Sequence, residues 1–411
     1  MKKNVAFITS VYPYSGGEQF IENEIPLWAR RINANIELTI YPMSTNRLVR
    51  PVPSEVEVDD SLANILKNKP DFTYKYIFSM LFWKELACLI KSSKFTFSKM
   101  SKALRMISKV KQAEKALVDI CREKKISIIY CYWNNYIAYA AAILKKKGVV
   151  TKVYSRLHNW DLYEERQKYA YMPLKRLFLN EYDKLFVLSN SAATYIYETY
   201  GVKEKIISVS RLGVDCEHKE TIGTSHNTLH IISLSYCARV KRIDKIIAAL
   251  KIFSNNNPHI SINWSHIGDG SERASLEALA KTSLISSNIV FQFKGEIPNQ
   301  EVQRFLSENN VDILLNASES EGVPVSIMEA MSYGVSVVAP DVGGIRELLE
   351  TRSCRLLSSS PSPKEISLAL EELFLLSKKP ETRALSQKKI CELYNRDINY
   401  TDFISEILGC G

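Results

Sequence analysis

Short apolar runs alternate with helical patterns along nearly the whole chain. The runs are rich in Val, Ile and Tyr, and the longer segments between them place apolar residues at helical spacing. This alternation is typical of βαβ units, in which parallel strands form a sheet covered by helices, so the predicted fold class is α/β. The predicted strands are Val5–Ser10, Ile36–Pro42, Ile126–Tyr132, Lys152–Arg156, Leu185–Ser189, His230–Tyr236, Ile260–Ile267, Ile289–Lys294, Val311–Asn316 and Val335–Ala339.

A polar stretch near the middle, residues 216–227, interrupts this alternation and is predicted to be a linker. It divides the chain into two Rossmann-like domains, residues 1–215 and 228–385. Residues 386–411 are predicted to form a C-terminal helix that returns to the N-terminal domain. A length of 411 residues is enough for two domains of this kind.

The composition, 46% hydrophobic and 24% charged, is that of a globular protein. No apolar stretch approaches the roughly 18–20 residues that span a bilayer. The first apolar run, Val5 to Ile8, is shorter than the ~7–15 residues of a secretory signal, so a cytoplasmic location is expected. The eight cysteines, from Cys88 to Cys410, contain no CxxC pair, which favours reduced thiols over disulfides or a metal site.

The net charge of +9 is concentrated in one region. Between Lys84 and Lys125 there are 12 Lys and Arg residues against 4 Asp and Glu. The aromatic and apolar segment Tyr74–Ile90 comes directly before most of this charge. Two interpretations stay open: helices that pack on the core with solvated lysines outside, or a surface that contacts an anionic membrane at the cytoplasmic face.

The strongest candidate for chemistry is the segment SESEGVPVSIMEAMSYGVSVVAPDVGGIRE, from Ser318 to Glu347. It follows a predicted strand, and Pro324 suits the beginning of a helix. Backbone N–H groups at a helix N-terminus attract an anion such as phosphate. The carboxylates of Glu321 and Glu329 are good acceptors for the hydroxyls of a sugar or a ribose. One short segment could therefore hold phosphate, ribose and hexose.

This segment resembles the donor-binding signature of the retaining glycosyltransferases of family 4, which have the GT-B fold of two facing Rossmann-like domains with a cleft between them. The resemblance rests on two glutamates separated by seven residues, with Gly322 and Pro324 between them. It implies that Glu329 binds the ribose of a nucleotide and that Glu321 contacts the transferred sugar. The other donor-binding residues that it implies are Gly322, Val323, Pro324, Val325 and Glu347.

Other segments extend the resemblance along the chain. In Lys241-Arg242-Ile243-Asp244, the position of Lys241 implies a contact with the donor diphosphate, together with Arg239. The run HNWDLYEE resembles that of bacterial surface-polysaccharide transferases, and it implies catalytic contact from His158 and acceptor or loop contact from Asp161. The catalytic residues are thus expected to be His158, Lys241 and Glu321.

The segment YPYSGGEQF follows the first predicted strand. The pair Gly16-Gly17 permits close approach of a phosphate or an acceptor to the backbone. Glu18 and Phe20 again resemble the polysaccharide transferases, which makes Glu18 a candidate for acceptor contact. A simple strand-to-helix turn is the alternative interpretation of this segment.

The resemblance implies retaining transfer of a sugar from a nucleotide diphosphate sugar, a UDP-sugar rather than a GDP-sugar, with no required cofactor and no metal. The expected acceptor is a glycan or lipid-linked hydroxyl in capsule, exopolysaccharide or O-antigen biosynthesis. Two alternatives stay open: a nucleotide-sugar epimerase of the same architecture, and a basic nucleic-acid-binding protein. The second lacks aromatic residues interleaved with the lysines between Lys84 and Lys125.

Overall fold

The computed structural model describes residues 2–18, 20–47, 50–68, 74–218, 220–286 and 288–409. The chain forms two compact units. Unit 1 comprises Met1–Arg211 and Tyr400–Gly411, and unit 2 comprises Leu212–Asn399. Each unit has its own hydrophobic core, built from the buried faces of its sheet and helices.

Unit 1 contains a sheet of seven strands in the order β3-β2-β1-β4-β5-β6-β7. All of its strand pairs are parallel. Helices cover such sheets on both faces, which explains why the central strands are continuous apolar runs. The strands are β1 (Lys3–Thr9), β2 (Ile36–Pro42), β3 (Glu57–Val58), β4 (Ile128–Cys131), β5 (Lys152–Arg156), β6 (Lys184–Val187) and β7 (Ile207–Val209).

The helices of unit 1 connect these strands and vary widely in length. They are α1 (Ile21–Ala29), α2 (Ser61–Leu66), α3 (Met80–Lys91), α4 (Phe97–Glu123), α5 (Tyr136–Lys146), α6 (Asn159–Leu162), α7 (Lys175–Phe178) and α8 (Asn190–Tyr200). Short 3₁₀ segments lie at Tyr74–Phe78, Glu164–Arg166, Lys168–Ala170, Leu179–Glu181 and Glu204–Ile206.

Unit 2 contains a second parallel sheet, of six strands in the order β10-β9-β8-β11-β12-β13. Its strands are β8 (Thr228–Leu234), β9 (Ser261–Ile267), β10 (Ile289–Phe293), β11 (Ile313–Leu315), β12 (Ser336–Pro340) and β13 (Cys354–Leu357). Its helices are α9 (Ile243–Asn256), α10 (Arg273–Ser283), α11 (Asn299–Glu308), α12 (Val325–Ser332), α13 (Ile345–Leu349), α14 (Pro363–Phe374) and α15 (Pro380–Leu393). Short 3₁₀ segments lie at Arg239–Lys241 and Leu376–Lys378. The last helix, α16 (Arg396–Leu408), begins in unit 2 and belongs to unit 1 from Tyr400 onward.

Each sheet reverses its strand order at one point. In unit 1, β1 lies between β2 and β4, and in unit 2, β8 lies between β9 and β11. Ligands of open α/β sheets bind outside the carboxyl ends of the strands at such a point. The loops after β1 and β4, and those after β8 and β11, are therefore where the topology favours a site.

Every strand predicted from the sequence overlaps an observed one, which confirms the α/β class. The strands that prediction missed are β3, β7 and β13, all at sheet edges. They are short, and β3 and β7 contain no fully buried residue, so they lack the apolar run by which the others were identified. The C-terminal segment consists of two helices, α15 and α16.

Within unit 2, buried charged side chains bind residues of the segment 216–227 to the rest of the unit. The carboxylate of Asp312 accepts hydrogen bonds from the backbone N–H (2.9 Å) and hydroxyl (2.6 Å) of Thr224, and it pairs with the Lys378 ammonium at 3.1 Å. Arg383 donates to the Thr221 carbonyl. Because these charged side chains are almost completely buried, their partners in the segment are held firmly.

Candidate functional site

The loop after β8 brings Lys241 to the loop after β11. A 3₁₀ turn at Arg239–Lys241 ends at Arg242, whose φ of +50° turns the chain into α9. The backbone N–H of Glu319 donates to the Val240 carbonyl at 2.9 Å, which fixes the two loops together. The Lys241 ammonium and the Glu321 carboxylate then form an ion pair at 2.7 Å.

Glu321 is nearly buried, and its carboxylate also accepts a hydrogen bond from the Asn316 amide at 3.2 Å. The side chain of Lys241 is 21% exposed, so part of it faces solvent. An ammonium has three donors, and the pair with Glu321 uses one of them. The pair can therefore keep its geometry while the lysine binds an anion.

Glu329 lies one turn into α12 and is buried. Its carboxylate accepts a hydrogen bond from the Asn299 amide at 2.7 Å. Burial raises the pKa of Glu329 to about 7, although the hydrogen bonds from Asn299 and Gln303 oppose the shift. Near neutral pH the Glu329 side chain is therefore present both as an ionised carboxylate, which only accepts hydrogen bonds, and as a neutral carboxylic acid.

The beginning of α12 packs against the loop after β12. The N–H of Gly344 donates to the Gly322 carbonyl at 2.7 Å. A β-carbon added to Gly343 would lie 2.1 Å from the Glu321 carbonyl oxygen, so only glycine permits this approach. Val323 and Pro324 are buried here, while Gly322 and Val325 are partly exposed.

The remaining predicted donor residues lie on the same loops. Arg239 is exposed beside Lys241 and lines a cavity of about 690 Å³ together with Arg242 and Glu319. Glu347 is partly buried on α13, which begins directly after Gly344. The fold of unit 2 thus gathers the predicted donor residues on the loops after β8, β11 and β12.

In unit 1, the loop after β1 is organised by Glu18. Its carboxylate accepts hydrogen bonds from the backbone N–H groups of Ser10, Val11 and Tyr12, each at 2.8 Å. It also accepts one from the Trp133 indole at 2.5 Å. The Glu18 side chain is buried, and these hydrogen bonds fix the backbone of the turn that follows β1.

Gly16 and Gly17 lie in the same loop with φ values of +111° and +117°, which a residue with a β-carbon rarely adopts. The Asn46 amide donates to the Ser15 carbonyl at 2.8 Å, and the Arg50 guanidinium donates to the Gly17 carbonyl at 2.7 Å. Two polar side chains from the segment after β2 therefore hold the glycine pair in place.

His158 lies at the carboxyl end of β5, where its ring packs against Tyr132 and Trp133 with centroid separations of 4.6 and 4.4 Å. Both ring nitrogens are buried, and neither has a hydrogen-bond partner among the described residues. Burial, followed by the charge of Arg156, holds the pKa of His158 well below its usual value, so the ring is neutral. Buried polar atoms in folded proteins normally have a hydrogen-bond partner, so the His158 ring is a candidate for contact with a polar ligand.

Asp161 holds the His158 loop. Its carboxylate accepts from the backbone N–H groups of His158 and Asn134, both at 2.6 Å. The Lys175 ammonium, also buried, donates to the Asn134 side chain at 3.0 Å and to the Asp161 carbonyl. Burial raises the pKa of Asp161 to about 6 and lowers that of Lys175 to about 8.

The structure thus brings Glu18 and His158 together through Trp133, which contacts both side chains. The sequence reasoning missed Trp133, Asn134 and Lys175. Trp133 and Asn134 directly follow a strand predicted to end at Tyr132. Their position at the carboxyl end of a strand could have marked them as candidate site residues. Lys175 carried no such signal, because its burial depends on the tertiary fold.

Among the residues that the structure describes there is no membrane-spanning helix, no metal-binding cluster and no disulfide. Every helix among them is too short or too polar to cross a bilayer. They contain no group of three His, Cys, Asp or Glu side chains that could hold a metal ion. Their cysteines are free thiols, and Cys410 lies outside the described residues.

Two family models match the chain. The model of glycosyl transferases group 1 matches residues 216–389, and that of glycosyltransferase family 4 matches residues 90–218. The first covers the Lys241, Glu321 and Glu329 loops, and the second covers the His158 loop.

Several similar proteins are named for surface-polysaccharide biosynthesis. The chain is 30% identical over 158 residues to the amylovoran biosynthesis glycosyltransferase AmsK of Erwinia amylovora, a match of 36% of this chain and 37% of that protein. It is 26% identical over 217 residues to the putative colanic acid biosynthesis glycosyltransferase WcaL of Escherichia coli, a match of 51% and 52%. The chain therefore spans about half or less of the length of these relatives.

Solved structures match over nearly the whole chain. The lipopolysaccharide outer core galactosyltransferase WaaB superimposes with a TM-score of 0.67 at 17% identity, covering 99% of this chain and 100% of that one. Anabaena HepE in complex with UDP-glucose superimposes with a TM-score of 0.62 at 15% identity, covering 99% and 100%. Together with the two glycosyltransferase models, which match residues 216–389 and 90–218, these matches show that the chain has the GT-B fold and is similar to the family 4 glycosyltransferases.

Proposed function

We propose that this protein is a retaining glycosyltransferase that moves a sugar from a UDP-sugar to a hydroxyl of a glycan or lipid-linked acceptor in bacterial surface-polysaccharide biosynthesis. The observation that carries the proposal is the Lys241–Glu321 ion pair beside the start of α12, within a segment that a glycosyltransferase model matches. The relatives named for amylovoran and colanic acid biosynthesis support the acceptor class.

The residues of unit 2 suit a nucleotide diphosphate sugar. The ammonium of the partly exposed Lys241 side chain would bind the diphosphate, while Glu321 would accept hydrogen bonds from the sugar hydroxyls. Glu329 would accept from the ribose, which favours its ionised form. The complexes of HepE with UDP and with UDP-glucose support UDP as the nucleotide.

In the proposed reaction the bond between the anomeric carbon and the diphosphate oxygen breaks, and the acceptor oxygen bonds to the same face of the sugar. The acceptor proton passes to the leaving diphosphate, so no covalent enzyme intermediate forms. Lys241 would stabilise the charge that develops on that phosphate. His158, being neutral, would contact the sugar without adding positive charge. Gly16, Gly17 and Asp161 would shape the acceptor site, and Glu18 would support it through the backbone that it holds.

The test is a thermal-shift panel of UDP, GDP and ADP with their common sugar conjugates, followed by transfer assays on lipid-linked saccharides. We expect UDP-sugars to raise the melting temperature of the wild type and not that of Glu329→Ala. Lys241→Met should lower kcat by about 10²–10³. It should also lower the unliganded melting temperature, because the nearly buried Glu321 carboxylate loses its cation, so kcat is measured at a temperature at which the variant is folded. Glu308→Ala, an exposed glutamate of α11 in the same unit, is the matched control.

The configuration of the product at the anomeric carbon, read by NMR, tests the retaining mechanism. An inverted product contradicts that part of the proposal. Conversion of the donor sugar without any acceptor would instead identify an epimerase. A stabilising effect of GDP-sugars alone would overturn the assignment of the donor.

A further inference from the structure

Helix α3 is apolar on its outward side as well as on its core side. Phe82 and Leu89 face the core at 8% and 3% exposure. Met80, Trp83 and Ile90 are 72%, 55% and 61% exposed. They follow one another at intervals of three and seven residues, which places them on one face of the helix. A surface helix of a globular domain normally carries polar residues there.

Further exposed apolar residues flank α3 in the sequence on both sides. Phe78 in the preceding 3₁₀ turn is 87% exposed, and Phe97 at the start of α4 is 86% exposed. The Phe97 ring contacts that of Phe95, with centroids 5.6 Å apart. We call the exposed apolar residues between Tyr74 and Phe97 the aromatic face. Its members are Tyr74, Phe78, Met80, Trp83, Ile90, Phe95 and Phe97.

Within residues 74–99 the exposed charges have one sign, although Lys94 pairs with the buried Glu164 from outside the segment. Glu85 is the one acidic residue in the sequence from Tyr74 to Lys99, and it is buried at 3% exposure. Its carboxylate accepts from the backbone N–H of Leu174 at 3.0 Å and from the Tyr171 hydroxyl, so it faces the interior. Exposed lysines remain on the outside of the segment: Lys75, Lys84 and Lys91.

We propose that the aromatic face docks on an anionic phospholipid bilayer. Large aromatic and aliphatic side chains would enter the boundary between headgroups and acyl chains, and the neighbouring lysines would contact the anionic headgroups. A protein partner could cover an apolar surface as well, but the absence of any outward acidic group in this segment matches an anionic surface in particular. The inference uses no residue of the sugar-donor site and stands independently of the proposed function.

Sedimentation of the full chain with vesicles tests the docking. We expect strong binding to phosphatidylcholine vesicles that contain phosphatidylglycerol and little binding to phosphatidylcholine alone. Phe78→Ser combined with Trp83→Ser should weaken the partition coefficient at least tenfold. Ile285→Ser, at an 81% exposed apolar position in unit 2, should leave the coefficient unchanged.

The lysines have their own variant and control. Lys84→Gln combined with Lys91→Gln should weaken binding at low salt by about fivefold for each lysine removed. Lys251→Gln, at an exposed position of unit 2, should have no effect. If the wild type does not bind anionic vesicles, or if the control variants weaken binding equally, the proposal is overturned.

Fluorescence quenching identifies the side chain that enters the membrane. Trp83 and Trp160 are the strongly exposed tryptophans of the described chain. The vesicles contain phosphatidylglycerol that is brominated on its acyl chains. The tryptophan fluorescence of the Trp160→Phe protein should be quenched, and that of the Trp83→Phe protein should not. Trp83→Phe keeps the aromatic face apolar, so this variant should still bind. The alternative occupant is a second copy of the chain. It would be indicated if the Trp160→Phe protein is not quenched and if the wild type self-associates with increasing concentration in a way that Phe78→Ser combined with Trp83→Ser abolishes.

Discussion

At the scale of single residues, the two glutamates of the donor signature differ in their surroundings. Glu321 pairs with the Lys241 ammonium at 2.7 Å, whereas Glu329 accepts a hydrogen bond from the neutral Asn299 amide, also at 2.7 Å. An ammonium compensates a buried carboxylate, and an amide does so only in part. The sequence predicts both glutamates as site residues, but their separate electrostatics follow from these neighbours.

This difference predicts how the stability of the fold depends on pH. In the folded protein the pKa of Glu329 is about 7, against 4.5 for an ordinary glutamate, so the folded state binds more protons between these values. The free energy of unfolding should therefore fall as the pH rises through this range. Glu329→Gln removes the effect, and its stability relative to wild type should increase between pH 5 and pH 8, on the order of 3 kcal/mol.

Thermal unfolding of both proteins at pH 5, 6, 7 and 8 without nucleotide measures this. Glu308→Gln, at an exposed glutamate, should follow the wild type at every pH. A difference between Glu329→Gln and wild type that is the same at pH 5 and pH 8 would contradict the raised pKa.

At the scale of elements, the donor loops depend on close backbone contact between the turn after β12 and the turn before α12. Gly343 has a φ of +58° and lies directly against the carbonyl of Glu321. Gly201, at the end of α8, has a similar φ of +65° but no atom within 4 Å of an added β-carbon. The two glycines share their conformation and differ in their surroundings.

We therefore expect Gly343→Ala and Gly201→Ala to differ. Gly201→Ala should cost about 1 kcal/mol from backbone strain alone. Gly343→Ala adds a clash with backbone that cannot move aside, and it should cost more than about 3 kcal/mol and abolish nucleotide binding. Chemical denaturation and titration with UDP measure both effects. Equal costs for the two variants would show that the loops adapt and that the contact is unimportant.

At the scale of the whole molecule, the chain completes unit 1 with its last residues. Phe403 of α16 is buried in unit 1, with its ring centroid 4.0 Å from the Arg156 guanidinium. Arg156 is itself fully buried and pairs with Glu24 at 2.7 Å. Loss of α16 would therefore expose both a core and a buried ion pair.

Truncation after Asn399 tests this dependence. Several fully buried apolar side chains, each worth roughly 1.5–3 kcal/mol, are removed, a sum comparable with the stability of a domain. We expect hydrogen–deuterium exchange to rise strongly across residues 1–211 and to change little across residues 212–399. Removal of residues 409–411 alone should leave both unchanged. Rapid exchange in residues 212–399 after truncation would show that the second unit also needs the last helix.

The sequence by itself determined the α/β class, the central strands and the donor signature. These features are local: continuous apolar runs specify buried parallel strands, and the spacing of Glu321 and Glu329 lies within one loop and helix. The roles of these residues remain predictions that the proposed experiments test.

Only the tertiary structure decided which distant residues meet. Glu18 and His158 are joined by Trp133, and Lys241 pairs with a glutamate 80 positions away, because parallel sheets bring the ends of separate strands to one edge. The short edge strands and the buried Lys175 also depended on the fold, since neither has a local apolar pattern. Periodicity alone also left open which apolar side chains of α3 face the core, because large apolar residues lie on both sides of this helix and only packing against the rest of unit 1 distinguishes them.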